Sequence, residues 1–472
     1  MSGFGGGGFG GGNGGGGFGG SGGGRSGGGR SGGGRSGGGR SGGRSRGRGG
    51  GRGKGRGRGG SAPGRGGNYP QCLLKPCGNF TKGMNCHHGN NCNFAHVVKL
   101  HAMIDASSPK QQQNNNNYNK NYNNGPAMAT VTSVSIWETN NVVKIFTGSQ
   151  DGFWRLWNFT GQNFVKEFEH NMGGPVECLV VEANFLFCGF ESVSPTLPEI
   201  SVGMIHAWNL ASPEAPPLEF HMHSLLPYAH NQGVTSLLVV GGEKVVSGSK
   251  DGSVKLWTYD QVKGGFVLAQ SLHGHAREIT GFAVADSMLW SCSTDGSIRV
   301  WDMAKNGECQ CAITSVATPN PQTPTSPQQT PGQGQGHTNA VTSLCSFNSS
   351  SGTFILSSSL DGDIKAWNGA TGQCVAQESH GEGVVSISMA GDVNGKQLLL
   401  IGLESGNIMA RNLEPTAKIP QAFQPILTLS SKFTVGHSGA VKTLCRGPAG
   451  TFYSGGMDGK VLVFQFTGDL GL

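Results

Sequence analysis

Residues Ser291–Asp302 read SCSTDGSIRVWD, and this stretch decides the fold because the chain repeats its plan. An Asp-Gly turn joins two strand-like segments, and the second segment ends on a tryptophan. Asp and Gly suit such a turn because the backbone there needs positive φ, and Asp can hydrogen-bond nearby backbone groups. Six other segments follow the same plan with varying fidelity: Gly148–Trp157, Glu199–Trp208, Gly248–Trp257, Ser358–Trp367, Gly402–Arg411 and Gly455–Phe464.

Most copies are preceded by a histidine and then by an apolar, strand-like segment. A unit of this kind, with a period of roughly 40–60 residues, is typical of a four-stranded propeller blade. One blade cannot bury both of its faces, so neighbouring blades must stack and the ring must close. The sequence therefore predicts an all-β fold, a seven-bladed propeller over residues 130–472 with a disordered Pro- and Gln-rich insert at 314–336. The histidines are His170, His230, His275, His337, His380 and His437.

The repeat resembles those of the WD-repeat family. In the fourth copy, the resemblance implies a hydrogen-bonded tetrad in which the side chains stabilise the blade and catalyse nothing. The tetrad residues would be His275, Ser291, Asp295 and Trp301.

A second pattern precedes the propeller, where three cysteines and a histidine are separated by eight, five and three residues. Three thiolates and one imidazole make a closed tetrahedral donor set, which predicts one structural Zn²⁺ ion. A segment this short has almost no core, so metal binding must supply its folding energy, about 10–16 kcal/mol in zinc-finger peptides. The predicted ligands are Cys77, Cys86, Cys92 and His96.

The spacing resembles that of CCCH zinc fingers, whose members mostly bind single-stranded RNA. The resemblance implies that Phe80 and Phe94 stack on bases, with Lys82 near phosphates. Such stacking contributes about 1–3 kcal/mol per base. The alternative is that the two phenylalanines only pack around the metal.

The first 67 residues form a Gly- and Arg-rich tail with almost nothing to build a core, which predicts disorder. The tail resembles RGG-type RNA-binding segments, and each guanidinium could contact a phosphate or stack on a base. A solubilising arm is the competing interpretation. The tail arginines expected to contact RNA include Arg44, Arg46, Arg48, Arg52, Arg56 and Arg58.

Charge divides the chain unevenly. Residues 1–99 hold 15 Lys or Arg and no acidic residue, which leaves 20 cations against 28 acids in the remainder. We therefore expect the basic N-terminal region to bind phosphate groups and the propeller not to bind them.

The predicted finger occupies residues 68–99 and is followed by an Asn/Gln-rich linker, residues 100–129. The last repeat ends near residue 466, so its blade still needs an outer strand if the ring is to close without a free edge. Two segments could supply this strand: residues 97–104, which would fix the finger to the propeller, or residues 467–472.

The functional classes follow from these parts. No nucleophile elbow, phosphate-binding loop or pair of carboxylates stands out, so we expect neither an enzyme nor a small-molecule substrate. No apolar run approaches the length of a membrane span, and no secretory signal is visible, so we expect the nucleus and/or cytoplasm.

A single CCCH finger followed by a seven-bladed propeller resembles the CCCH zinc-finger WD-repeat family. This resemblance favours an RNA-binding adaptor, in which finger and tail bind single-stranded RNA and the propeller scaffolds protein partners. The alternative is a protein-interaction scaffold or ubiquitin-ligase substrate receptor, with the finger contacting protein or DNA.

Overall fold

Each repeat folds as a four-stranded antiparallel sheet in the computed structural model, and the described residues form seven such sheets. The innermost strand of every sheet lies against that of the next, and the seventh returns to the first, so the ring is closed. The Gly/Arg-rich tail and most of the Pro/Gln-rich insert fall outside the described residues. The structure describes residues 74–108, 128–139, 142–161, 163–182, 184–305, 307–315, 335–349, 351–413, 425–468 and 470.

A short helix, a 3₁₀ turn and one strand precede the first blade. They are α1 (Gly78–Thr81), the 3₁₀ turn (Gly89–Asn91) and β1 (Val98–Asp105). Blades one to three comprise β2 (Val131–Thr139), β3 (Val142–Ser149), β4 (Phe153–Phe159), β5 (Phe164–Asn171), β6 (Val176–Glu182), β7 (Phe185–Val193), β8 (Ser201–Asn209), β9 (Leu218–Glu219), β10 (Val234–Val240), β11 (Lys244–Ser249), β12 (Val254–Asp260) and β13 (Gly265–Leu272).

Blades four to seven continue in the same order along the chain. Their strands are β14 (Ile279–Ala285), β15 (Met288–Ser293), β16 (Ile298–Asp302), β17 (Glu308–Ile313), β18 (Val341–Ser349), β19 (Gly352–Ser359), β20 (Asp363–Asn368), β21 (Cys374–Ser379), β22 (Val384–Gly391), β23 (Gln397–Leu403), β24 (Ile408–Asn412), β25 (Pro425–Leu429), β26 (Val441–Arg446), β27 (Thr451–Gly456) and β28 (Lys460–Phe466).

The core lies between the blades. Buried apolar side chains form seven clusters in the described part of the chain, one in each gap between neighbouring blades. This arrangement is the one that a stack of two-faced sheets requires, because each blade covers a face of the next.

The outer strand of the seventh blade comes from the segment that precedes the first blade in the sequence. β1 pairs antiparallel with β28, from Val98 opposite Phe466 to Asp105 opposite Lys460. Of the two segments considered for this role, the one at residues 97–104 supplies the strand, so the place beside β28 is filled from before the first blade. The range assigned to the linker, residues 100–129, therefore begins inside a propeller strand.

The fourth blade contains the predicted tetrad. The imidazole of His275 lies 2.8 Å through Nε2 from the Ser291 hydroxyl and 3.2 Å through Nδ1 from the Asp295 carboxylate. The Trp301 indole N–H donates to the same hydroxyl at 2.8 Å. Burial alone would raise the pKa of Asp295, but hydrogen bonds from His275 and Ser297 hold that pKa well below its usual range.

Two of the six histidines do not act in this way. His170 lies exposed on β5 and stacks on Trp154, with ring centroids 5.6 Å apart, because the second blade has no Asp-Gly turn to receive it. His380 is buried, but neither ring nitrogen has a hydrogen-bond partner in the described residues. In its blade, Ile401 stands at the position of Ser291 and Arg411 at that of Trp301.

Candidate zinc centre and nucleic-acid interface

Short local elements place the four predicted ligands. Cys77 immediately precedes α1, Cys92 follows the 3₁₀ turn, and His96 lies two residues before β1. Two backbone hydrogen bonds tie the ends of this segment together. The N–H of Cys77 donates to the carbonyl of Ala95 at 2.9 Å, and the N–H of Ala95 donates to that of Lys75 at 2.8 Å.

The ligand atoms converge on one point. One donor atom from each of Cys77, Cys86, Cys92 and His96 lies within 4.8 Å of all the others, and the described residues contain no second group of this kind. A tetrahedral zinc site with about 2.3 Å zinc–sulfur bonds has edges of about 3.8 Å, so donor atoms this close together match the size of such a site.

The histidine provides an independent test of the fit. His96 Nε2 is buried and has no hydrogen-bond partner in the described part of the chain. A buried ring nitrogen without a partner is costly unless it binds a metal. Cys77, Cys86, Cys92 and His96 therefore form the donor set of one structural zinc ion.

The local backbone also favours thiolate formation. A hydrogen bond from the His88 backbone lowers the pKa of Cys86 to about 7, whereas burial and the neighbouring thiols raise the pKa of Cys92. Metal binding requires deprotonated thiols, so a lowered pKa assists it at neutral pH.

The two predicted stacking phenylalanines differ in their surroundings. The Phe80 ring lies parallel to that of His96, with centroids 4.5 Å apart and 4° between the planes, and it is half-buried. The Phe94 side chain is 51% exposed, and Lys82 is exposed. Phe80 therefore covers a zinc ligand with one face, whereas Phe94 leaves half of its surface to solvent.

The finger is fixed to the gap between the sixth and seventh blades. The Leu74 N–H donates to the Ile426 carbonyl of β25 at 2.8 Å, and the Thr467 N–H donates to the Val97 carbonyl at 2.9 Å. Leu74 and Ala95 pack on the apolar cluster of that gap.

A propeller turn that no sequence pattern indicated also contacts the finger. A Cβ added at Gly78, the first residue of α1, would lie 2.7 Å from the Phe433 carbonyl oxygen, so only glycine permits this approach. Phe433 is 72% exposed and belongs to the turn after β25. The six predicted tail arginines lie outside the described residues.

Comparison with known families agrees with this architecture. The WD40 family (WD domain, G-beta repeat) matches residues 222–258, 266–302, 328–368 and 424–465. The zf-CCCH family (zinc finger C-x8-C-x5-C-x3-H type and similar) matches residues 74–98. This chain is a CCCH zinc finger followed by WD40 repeats.

Two plant proteins are similar to it. Zinc finger CCCH domain-containing protein 17 of Oryza sativa subsp. japonica is 27% identical over 231 residues, which cover 49% of this chain and 44% of the relative. Zinc finger CCCH domain-containing protein 62 of Arabidopsis thaliana is 27% identical over 173 residues, covering 36% of each. The chain thus spans less than half the length of these relatives.

Among solved structures, the crystal structure of the computationally designed Ika8 protein matches with a TM-score of 0.47 and 21% identity. The match covers 72% of this chain and 96% of that protein.

Each of the two domain types has a typical kind of partner. A CCCH finger suggests nucleic-acid binding, a WD40 propeller suggests protein partners, and both are typically non-catalytic. No helix in the described ranges has the length and apolar character to cross a membrane.

Proposed function

We propose that the CCCH–WD40 protein is an RNA-binding adaptor whose finger and tail bind single-stranded RNA while the propeller holds protein partners. The observation that carries the proposal is the exposed Phe94 on a finger fixed by zinc. A solvent-facing aromatic ring on a rigid support can stack on an unpaired base at little entropic cost.

The charge of the finger supports an anionic partner. Residues 74–99 contain no Asp or Glu, and Lys75, Lys82 and Lys99 are all exposed. Exposed lysines on the same small domain as an exposed aromatic ring can neutralise phosphates while the ring contacts a base. The acidic excess lies elsewhere, in the rest of the chain.

Crosslinking and sequencing of bound RNA tests the proposal. We expect deletion of residues 1–67 to weaken binding to all RNAs without changing sequence preference, because arginine–phosphate contacts carry no sequence information. We expect the double variant Phe80→Ala/Phe94→Ala to abolish the preference. Unchanged RNA recovery in both variants would leave a protein-interaction scaffold or ubiquitin-ligase substrate receptor.

The compartment is part of the proposal: the nucleus and/or cytoplasm. Cys178, Cys188 and Cys292 are buried free thiols, and burial raises the pKa of Cys292 to about 12, so these groups are small apolar core residues. Free thiols and a thiolate zinc site suit a reducing compartment. Imaging of a fluorescent fusion checks this, and secretion of the fusion would contradict it.

A further inference from the structure

The turn that supports the finger carries its own exposed aromatic residue and cation. We infer that this turn, Ser430–Thr434, extends the RNA-binding surface of the finger, with Phe433 stacking on a base and Lys432 contacting a phosphate. The inference rests on the proposed function. It adds a turn of the propeller to the RNA-binding surface of the finger.

Phe433 is unusually exposed for its type. Among the described phenylalanines, only Phe94, Phe168 and Phe433 are more than half exposed, and Phe433 has the highest value, 72%. Two of these three therefore lie on the finger or on the turn that contacts it.

The turn holds Phe433 rigidly. The Thr434 N–H donates to the Ser430 carbonyl at 2.9 Å, and the Ser430 N–H donates to the Thr434 hydroxyl oxygen at 2.8 Å. Thr434 itself is 5% exposed. An aromatic ring on a backbone fixed in this way loses little freedom when it binds, which is the advantage of a preorganised contact.

The contact with the finger leaves the ring free. Phe433 approaches Gly78 through its backbone carbonyl oxygen, and Gly78 begins the helix that also bears Phe80. Because the side chain takes no part in that contact, it is available to a ligand lying along the finger.

Charge favours RNA over other occupants. The Lys432 ammonium lies 5.3 Å from the centre of the Phe433 ring, and residues 425–440 contain no acidic residue. Together with the acid-free finger, this gives a basic surface with exposed aromatics, the combination by which single-strand binders hold bases and backbone at once.

The test uses the full-length, zinc-loaded protein with every tail arginine replaced by Ser, so that the tail does not dominate affinity. The probe is fluorescein-labelled oligo(U), with oligo(A) in parallel, and the readout is anisotropy over a range of salt concentrations. The variants are Phe433→Ala, Lys432→Ala and Phe94→Ala, and the matched control is Tyr259→Ala, an exposed aromatic on the third blade.

We expect Phe433→Ala to weaken binding by about five- to a hundredfold, the range for one lost stacking aromatic. Lys432→Ala should lower the slope of log affinity against log salt by about 0.7. Tyr259→Ala should change neither quantity. Because Gly78 meets only backbone, the melting temperature of Phe433→Ala should equal that of the parent.

The failures of the two proposals are distinguishable. If Phe94→Ala weakens binding while Phe433→Ala and Lys432→Ala do not, the inference is overturned and the proposed function stands. If RNA affinity is unchanged in all of these variants and also after removal of zinc, the proposed function is wrong as well. Loss of a protein partner in Phe433→Ala, with RNA affinity unchanged, also overturns the inference.

Discussion

The finger and the seventh blade share one continuous segment of chain, yet different forces stabilise them. Between residues 77 and 96, only Cys77 and Thr81 are buried among the described side chains, so the finger depends on its metal. The seventh blade packs on apolar clusters on both sides, so its stability comes from burial. The difference teaches that zinc shapes the finger while the propeller sets its position.

Removing zinc should separate the two regions most completely. We expect chelation, or Cys92→Ser, to unfold residues 77–96, because the apparent zinc-binding free energy of such segments is about 10–16 kcal/mol. Hydrogen exchange should become fast there, whereas the amides of β1 stay protected by β28. Loss of protection along β1 would show that the blade also depends on the metal.

The closing strand tests the stability of the blade through two adjacent residues. Ile104 is 4% exposed and Met103 is 49% exposed. Ile104→Ala should lower the free energy of unfolding by about 2–5 kcal/mol, because it leaves a cavity between the seventh and first blades. Met103→Ala should cost less than about 0.5 kcal/mol. Equal effects in denaturant titrations would contradict the assignment of β1 as a buried closing strand.

Acid should destabilise the propeller independently of the finger. Burial lowers the pKa of His230 to about 4, and an unfolded histidine has a pKa near 6.5. As pH falls below about 6.5, the unfolded chain binds a proton that the folded chain does not, so stability falls progressively until about pH 4. The loss is on the order of 3 kcal/mol.

Melts of zinc-free protein followed by tryptophan fluorescence between pH 7 and pH 4 measure this loss, since Trp257 shares the Ser247 hydroxyl with His230. The variant His230→Gln should show a flatter pH dependence. An unchanged dependence would assign the acid sensitivity to other groups.

Two buried histidines compare an intact tetrad with a degenerate one. His275→Ala removes the hydrogen bonds of the buried imidazole to the Ser291 hydroxyl and the Asp295 carboxylate, whereas His380 has no such partner to lose in the described residues. We expect His275→Ala to cost about 1–3 kcal/mol more than His380→Ala in denaturant titrations. Equal costs would mean that the tetrad hydrogen bonds contribute nothing net.

The structure was predictable where a sequence pattern contains all of the residues that interact. The Asp-Gly turns and their aromatic-ended strands predicted seven blades, and the Cys77–His96 spacing predicted four donor atoms that do converge. In both cases the residue types and their spacing are compatible with few structures, a propeller blade for the repeats and a metal site for the three cysteines and the histidine.

Predictions were less reliable where the pattern contains only one of the residues that would interact. A histidine upstream of a repeat indicated a tetrad, but His170 has no turn Asp to meet and His380 faces a blade with Ile401 in place of serine. No sequence pattern indicates the contact between Gly78 and the Phe433 carbonyl. The contact involves a backbone oxygen and a glycine, which has no side chain, and the two residues are far apart in the sequence.

The affinity of the full-length protein for single-stranded RNA, with and without zinc, tests the central claim most directly. In the chain whose tail arginines are replaced by Ser, chelation at neutral pH should abolish binding of oligo(U) and oligo(A), and restoring stoichiometric zinc should recover it. RNA affinity that is unchanged after chelation, or a purified protein that carries no zinc, would contradict the account.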